Sequence, residues 1–316
     1  VSGASASRRW WWWAALVCLV IVAVPTAARA TGFEAGPLAM AVAFMPWITV
    51  LAVVPLACAL LARAWALSAA AGVVLAVCVA WQVPLFTGGS DGEPELTVAA
   101  INLRFGEADA DQVVALIRDR QVDIVVFTEL TPEAESNLRR AGLTKELPHG
   151  VSRAEDGFSG TGVWARYPVA HVEALAGFMS QNFSLEVATP SGPITLFAVH
   201  PRAPRKAQHQ VWDQELAALR DELAAASGPV LVAGDFNTTR DHSGFRAIEA
   251  LAYADAADQA GSGFAPTFPV GRGLFPPIVI DHVLERASGL VALRTATVDV
   301  QRVDHRALIV EYGTQP

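Results

Sequence analysis

The sequence predicts a layered α/β domain preceded by three membrane-crossing helices. Three observations predict it. Hydrophobic residues make up 53% of the 316 residues and charged residues only 17%, against about 25% charge in an ordinary soluble domain. The apolar excess is concentrated in residues 1–90, which carry four Arg and the single acid Glu34. From residue 91 onward, 19 bases face 30 acids, and short β-rich runs alternate with amphipathic ones. The expected division is therefore a membrane anchor over 1–90 and one globular domain over 91–316.

The anchor reads as spans at 10–28, 38–62 and 64–86, each free of charge. A helix needs about 20 apolar residues to cross a bilayer core. Pro25, Pro46 and Pro55 fall inside these runs, and Trp10–Trp13, Trp65 and Trp81 fall near their ends, where amphipathic rings favour the interface. Arg8 and Arg9 before the first span and Arg63 between the second and third assign those sites to the cytoplasm. The expectation is a multi-pass cell-membrane protein with its C-terminal domain extracytoplasmic. Residues 1–30 also fit a cleaved signal, with Ala28–Arg29–Ala30 as the processing site. The four consecutive Trp favour a retained helix, and the domain ends outside in either case. All three Cys lie in the anchor, so the domain has no internal disulfide.

Within the domain, Leu96–Leu103 and Val122–Thr128 read as buried strands flanking a helix at Asp109–Arg120 with Val113, Val114, Leu116 and Ile117 on one side. A helix follows near Pro132–Arg140. Strands are expected at Gly162–Arg166, Phe183–Ala188, Ile194–Val199 and Val230–Ala233, with a long helix in Pro204–Ala226. The last strands are Ile278–Leu284, Ala292–Val298 and Ala307–Glu311.

Polar residues recur at the carboxyl ends of these apolar runs: Asn102, Glu129, His200, Asp235 with Asn237, and Asp281, while Asp304 and His305 stand in QRVDHRALIV. That is where an α/β sheet places a ligand site. A single such residue is commonly a cap or a solvated loop residue; the repetition is the signal. Carboxylates and amides are hard oxygen donors that suit Mg²⁺ or Mn²⁺. No Cys and no His-x-x-x-His pair offers a zinc site. Two His beside carboxylates suit phosphate contact and proton transfer. The expectation is metal-assisted attack of water on phosphorus.

The ordered set Asn102, Phe127–Glu129, His200 in VHP, Gly234–Asn237 (GDFN), Ile280–His282 and Val303–His305, with GTGVWARYPV at Gly160–Val169, resembles the endonuclease/exonuclease/phosphatase superfamily over about residues 95–312. The resemblance implies a four-layer α/β/β/α sandwich. It makes Glu129 the metal-binding carboxylate, with Asn102 and Asp304 completing the metal surroundings. Asp235 positions or deprotonates the attacking water. Asn237 bonds phosphate or orients Asp235, and His200 binds a phosphate oxygen. His305 stabilises or protonates the phosphorane, and Asp281 orients its ring. Thr128, Ala165 and Val303 depart from the family pattern, and His149 stands where many members place a phosphate-contacting Tyr. His171, His209 and His242 lack motif support and are expected at the surface. His282 is expected on the opposite sheet face from Asp281.

The superfamily leaves the substrate open. A domain of net charge −11 lacks the basic surface that tracking DNA requires, so nucleic acid is not the expected partner. Arg202, Arg205 and Lys206 form a basic cluster beside His200, either a phosphate or headgroup contact or a solvated helix start. The linker Thr87–Glu95 reaches about 30 Å at full stretch, which keeps the domain near the bilayer. Three spans before an exported domain with FTEL and V-x-HP resemble the VanJ/StaP branch associated with teicoplanin-type resistance. That resemblance implies removal of phosphate from undecaprenyl pyrophosphate, a membrane lipid phosphate. The alternative is a metal-dependent phosphodiesterase of nuclease or sphingomyelinase type. No protein partner is expected.

Overall fold

The computed structural model describes residues 2–204, 209–271, 273 and 277–314. The chain divides into two compact units, residues 1–84 with 241–243, and residues 85–240 with 244–316.

The first unit is helical. Ser2–Thr31 and Trp65–Gln82 are its long helices, and both are long and apolar enough to cross a membrane. The run expected as one span over 38–62 is broken into Pro37–Ala43, Met45–Leu51 and Val53–Leu61, with a bend of 74° at the first break. Pro46 lies in the first turn after that break, where a residue without an N–H is tolerated but cannot continue the preceding helix. The third run ends at Gln82 rather than 86, because Pro84 begins a separate short turn. Arg29 is buried within this unit, its Nε 2.5 Å from Asp241 Oδ1 and its guanidinium 3.9 Å over the Trp81 ring. His242, expected at the surface, is instead buried, its Nε2 2.9 Å from the Ala39 carbonyl oxygen.

Among its described residues the second unit contains twelve strands: β1 (Leu96–Asn102), β2 (Ile124–Thr128), β3 (His149–Arg153), β4 (Thr161–Ala165), β5 (Val169–Ala174), β6 (Phe183–Thr189), β7 (Gly192–Val199), β8 (Val230–Asp235), β9 (Ala254–Asp255), β10 (Asp281–Arg286), β11 (Leu290–Asp299) and β12 (Arg306–Thr314). They form two six-stranded sheets, ordered β11-β12-β1-β2-β4-β3 and β5-β6-β7-β8-β10-β9. Val98, Ala100, Ile124 and Val126 of one sheet pack against Leu196, Ala198, Leu231 and Ala233 of the other. The alternate residues face outward onto helices. Ala99, Ile101, Val125 and Phe127 meet Val113 and Ile117 of Ala110–Asp119, and Phe197, Val199 and Val232 meet Leu219 and Leu223 of His209–Ala225. The result is a four-layer α/β/β/α arrangement. Both faces of each sheet are covered, which is why the central strands read as unbroken apolar runs.

Local signals fix the helices. The Asp109 side chain caps Ala110–Asp119 by accepting from Gln112 N, and Thr131 caps Pro132–Ala141 by accepting from Ala134 N. Gly142 closes the latter in the left-handed region at φ 106°. β10 starts at Asp281 rather than Ile278; Ile278 makes only an isolated bridge to Phe268.

Each sheet contains one parallel pair, β1–β2 and β7–β8, joined by a crossover helix. Antiparallel β12 begins beside the end of β1, and antiparallel β10 begins beside the end of β8. The carboxyl ends of four strands and the starts of two therefore meet at one edge of the two sheets.

Candidate active site

That edge gathers the strand-end residues. Asn102 ends β1, Glu129 follows β2, His200 follows β7, Asp235 ends β8, Asp281 begins β10 and His305 immediately precedes β12. Asp235 and Asp281 are direct cross-strand partners, so their side chains emerge on the same face. Asn102, His200, Asp235, Asp281 and His305 are all buried.

Asp235 is the focus. Its Oδ2 accepts from Asn102 Nδ2 at 2.9 Å and lies 3.8 Å from both His200 Nε2 and His305 Nε2. Its Oδ1 accepts from Asn237 N at 2.8 Å. His305 Nδ1 lies 2.9 Å from Asp281 Oδ2, which fixes the ring so that Nε2 points at Asp235. Phe268 packs against the same imidazole at 4.8 Å between ring centroids. Asn237, at φ 48°, donates from Nδ2 to the Pro201 carbonyl at 3.0 Å, and its own carbonyl accepts from Trp212 Nε1 at 3.1 Å. Its side chain therefore ties the β8 end to the segment after His200.

Burial and charge separate the protonation states. Burial, reinforced by the Asp281 charge, pushes Asp235 up to about 7. Burial alone would lower His305, but the carboxylates of Asp281 and Asp235 outweigh it and raise it to about 9. Burial and the nearby His305 charge push His200 down to about 4. At neutral pH the cluster thus holds a cationic His305, a neutral His200 and an Asp235 near its midpoint. That pairing of a poised acid with a poised base suits proton transfer.

Two sets of groups offer cation donors. Ligand atoms of Asp235, Asp281 and His305 lie within 4.8 Å of one another. His305 and Asp281 are spent on each other, and a protonated imidazole is no ligand. The other set is Glu129 and Asp304. Burial raises the Glu129 carboxyl, and the Asp304 charge adds to the rise. Glu129 Oε1 accepts from Asn102 Nδ2 at 3.2 Å and Oε2 from Phe105 N at 2.8 Å. Such a pair of hard oxygen donors fits Mg²⁺ or Mn²⁺. Asn102 bridges the two sets: its Nδ2 donates to Glu129 Oε1 and to Asp235 Oδ2, and its Oδ1 accepts from Arg104 N at 2.8 Å.

Arg202 lies near enough to His200 for its charge to oppose protonation there. Arg202 donates its backbone N–H to Glu215 at 2.6 Å, and its guanidinium lies 4.0 Å over the Phe158 ring; Arg205 and Lys206 lie outside the described residues. His149 pairs with Ala165, which pairs with Ile124 at the far end of β2 from Glu129. Four residues of strand, about 13 Å, separate it from the cluster, so it is not a substitute for the phosphate-contacting Tyr. His171 is exposed and His209 half-buried. His282 does face away from Asp281, but as a buried residue held by Asp255 at 2.7 Å and the Thr238 carbonyl at 3.1 Å.

Several supporting residues carry no motif. Buried Glu215 accepts from Met179 N and Arg202 N, on either side of His200. Asn182 Oδ1 accepts from His200 N at 2.6 Å, and Ser180 Oγ donates to the His200 carbonyl. Thr267 Oγ1 accepts from Asp281 N at 3.3 Å. Only Glu215 left a sequence trace, a charge inside the Trp212–Leu216–Leu219 apolar stripe.

Comparison with known proteins agrees with this architecture. The endonuclease/exonuclease/phosphatase family pattern matches residues 99–307. No curated protein matches. Among solved structures, humanized D. rerio TDP2 is similar at 15% identity and a TM-score of 0.58, covering 69% of this chain and 99% of that one. An endonuclease/exonuclease/phosphatase protein from Beutenbergia cavernae DSM 12333 is similar at 19% and 0.56, covering 70% and 72%. The 3'-5' exonuclease NExo from Neisseria meningitidis is similar at 17% and 0.52, covering 69% and 99%. With a match over well more than half its length and the matching two-sheet fold, the chain belongs to the endonuclease/exonuclease/phosphatase family.

Proposed function

We propose that this protein is a membrane-tethered, divalent-metal-dependent phosphohydrolase that removes the terminal phosphate from a polyprenyl diphosphate, undecaprenyl pyrophosphate being the carrier lipid expected of the VanJ/StaP-like branch. The observation that carries the hydrolytic reading is the convergence of Asn102, His200 and His305 on a single oxygen of Asp235.

Each residue then has a part. Asp235 accepts a proton from the attacking water and holds it in line with the phosphorus. His305, kept cationic by Asp281, donates toward a phosphoryl oxygen as charge grows there. His200, neutral and buried, binds a second oxygen. Asn237 fixes Asp235 through its backbone N–H and spans to Pro201. Glu129 and Asp304 would hold the cation, which would neutralise charge on the transferring phosphoryl group. Membrane association is supported by the two long apolar helices near the N-terminus, with the three-span, extracytoplasmic topology as the reading of their Arg placement. The net charge of residues 91–316 supports a substrate other than duplex nucleic acid.

A second reading, a phosphodiesterase, is favoured by the exonuclease among the similar structures. Full-length protein in detergent, offered undecaprenyl pyrophosphate, plasmid DNA and sphingomyelin with Mg²⁺ or with EDTA, separates the two. Metal-dependent phosphate release from the polyprenyl lipid alone supports the first reading. Cleavage of DNA or sphingomyelin without it overturns that reading and supports the second.

A further inference from the structure

Beside Glu129 the chain makes a turn that neither the family motifs nor the proton-transfer cluster requires. Arg104, Phe105 and Gly106 are consecutive residues in the left-handed region, at φ 47°, 53° and 77°. Two of the three are not glycine, and each such placement costs about 1–3 kcal/mol. The backbone accounts for part of it. Arg104 N donates to Asn102 Oδ1 and Phe105 N to Glu129 Oε2, both at 2.8 Å, so the turn is fixed directly onto the site. Glycine at positions 104 and 105 would make the same bonds without the strain. The side chains therefore need a reason of their own.

Both project outward at the rim. Phe105 is 49% exposed. Beyond residue 90, the large apolar side chains exposed among the described residues are Phe105, Val172 and Met179, and Phe105 alone is bonded through its backbone to a carboxylate of the site. The Arg104 side chain is 42% exposed, with its Nε 3.9 Å from Asp304 Oδ1 and its Nη1 3.6 Å from Glu107 Oε2. Nη1 also donates to the Arg302 carbonyl at 3.4 Å, and contacts this long hold a half-exposed guanidinium weakly. Arg104 thus places a cation at the mouth of a cluster built from Glu129, Asp235, Asp281 and Asp304. A diester brings one negative charge there. A diphosphate ester brings up to three, and one cation at the metal position leaves its second phosphate facing carboxylates.

We propose that the Arg104–Phe105 turn is the substrate-recognition lip: Arg104 binds the phosphate that is not transferred, and Phe105 lies against the apolar chain attached to it. This rests on reading the Asp235 cluster as the phosphohydrolase site. It assigns the substrate class to a diphosphate monoester with an apolar group.

Calorimetric titration of the full-length protein in detergent with Mg²⁺ tests it, in an Asp235→Asn background that suppresses turnover, using inorganic phosphate, inorganic pyrophosphate and farnesyl diphosphate as probes. With Arg104 and Phe105 intact, this protein is expected to bind pyrophosphate about tenfold more tightly than phosphate, as one charge-assisted bidentate contact provides. Arg104→Ala is expected to reduce that advantage to within about threefold with phosphate affinity unchanged. Phe105→Gly is expected to keep pyrophosphate affinity, weaken farnesyl diphosphate by about fivefold, and raise the melting temperature as the left-handed strain is relieved. A simultaneous gain in stability and loss of affinity is not what a structural residue gives. An unchanged pyrophosphate-to-phosphate ratio in Arg104→Ala, or equal loss of both ligands, overturns the assignment of Arg104. Unchanged farnesyl diphosphate affinity in Phe105→Gly overturns that of Phe105. The parent reading fails separately: if wild type releases no phosphate from undecaprenyl pyrophosphate while the ratio still depends on Arg104, the lip stands and the polyprenyl substrate falls.

Discussion

Asp235 and His305 are set up with their protonation in the order hydrolysis needs, because the same carboxylate that raises one also raises the other. Asp281 adds to the rise of Asp235 toward about 7 and holds His305 at about 9. Hydrolysis requires Asp235 ionised and His305 protonated, so kcat/KM is expected to rise through the Asp235 value and fall through the His305 value. Asp281→Asn removes a negative charge from both. Both limbs should then move to lower pH, which a kcat/KM profile reads directly; an unmoved alkaline limb contradicts the pairing. Asp235→Asn is expected to lower kcat by about 10²- to 10⁴-fold while circular dichroism and melting show a retained fold. The residues that make these bonds were legible in the sequence because each stands at a strand end in a short motif. Asn182, Thr267 and the Arg104–Phe105 turn were not, because what they do depends on backbone N–H groups brought near only by folding.

Strands covered on both faces announce themselves, and those with an open face do not. β1, β2, β7 and β8 were legible as apolar runs. β3 and β5, partly or largely exposed sheet edges, carry no such signal. The end of β8 also depends on Gly234, at φ 148°, where an added Cβ would lie 2.0 Å from the Val199 carbonyl oxygen. The loop leaving it is held from behind by His282. Asp255 caps Ala256–Ala260 with Oδ1 and holds His282 Nδ1 with Oδ2, and the other imidazole nitrogen reaches the Thr238 carbonyl. Burial would lower His282, but the Asp255 charge and hydrogen bond raise it; burial would raise Asp255, but His282 lowers it. His282→Ala leaves the buried Asp255 charge unpaired and is expected to destabilise by about 3–5 kcal/mol in denaturant unfolding. The His282 contribution is present below its ordinary value and lost as pH rises through the raised one. The Asp255 contribution is present above its ordinary value and lost as pH falls through the depressed one. The penalty should therefore be greatest between about pH 4 and 6.5. A penalty independent of pH contradicts an ion pair.

At the scale of the whole chain, composition sets an apolar stretch over residues 1–90 against an acidic one over 91–316, while the compact units comprise residues 1–84 with 241–243 and residues 85–240 with 244–316. The helices were legible from their apolar length, but the bend at Phe44 was not, because Pro25 sits inside an unbroken helix while Pro46 follows a break. Proline marks where a helix is able to bend, and packing decides whether it does. The exception to the split is residues 241–243, which belong with the helical unit although sequence position assigns them to the domain. Nothing in the donor set makes the cation part of the core, so EDTA is expected to abolish turnover while the melting temperature of the domain changes little. Unfolding on chelation contradicts a purely catalytic cation.

The central claim is that water activated at Asp235 attacks the terminal phosphorus. It is tested most directly by turnover of undecaprenyl pyrophosphate in heavy-oxygen water by wild type and Asp235→Asn, with mass analysis of both products. The expected result is a single heavy oxygen in the released inorganic phosphate, none in the lipid monophosphate, and release by the variant slowed by about 10²- to 10⁴-fold. Heavy oxygen in the lipid product, or release by Asp235→Asn at the wild-type rate, contradicts it.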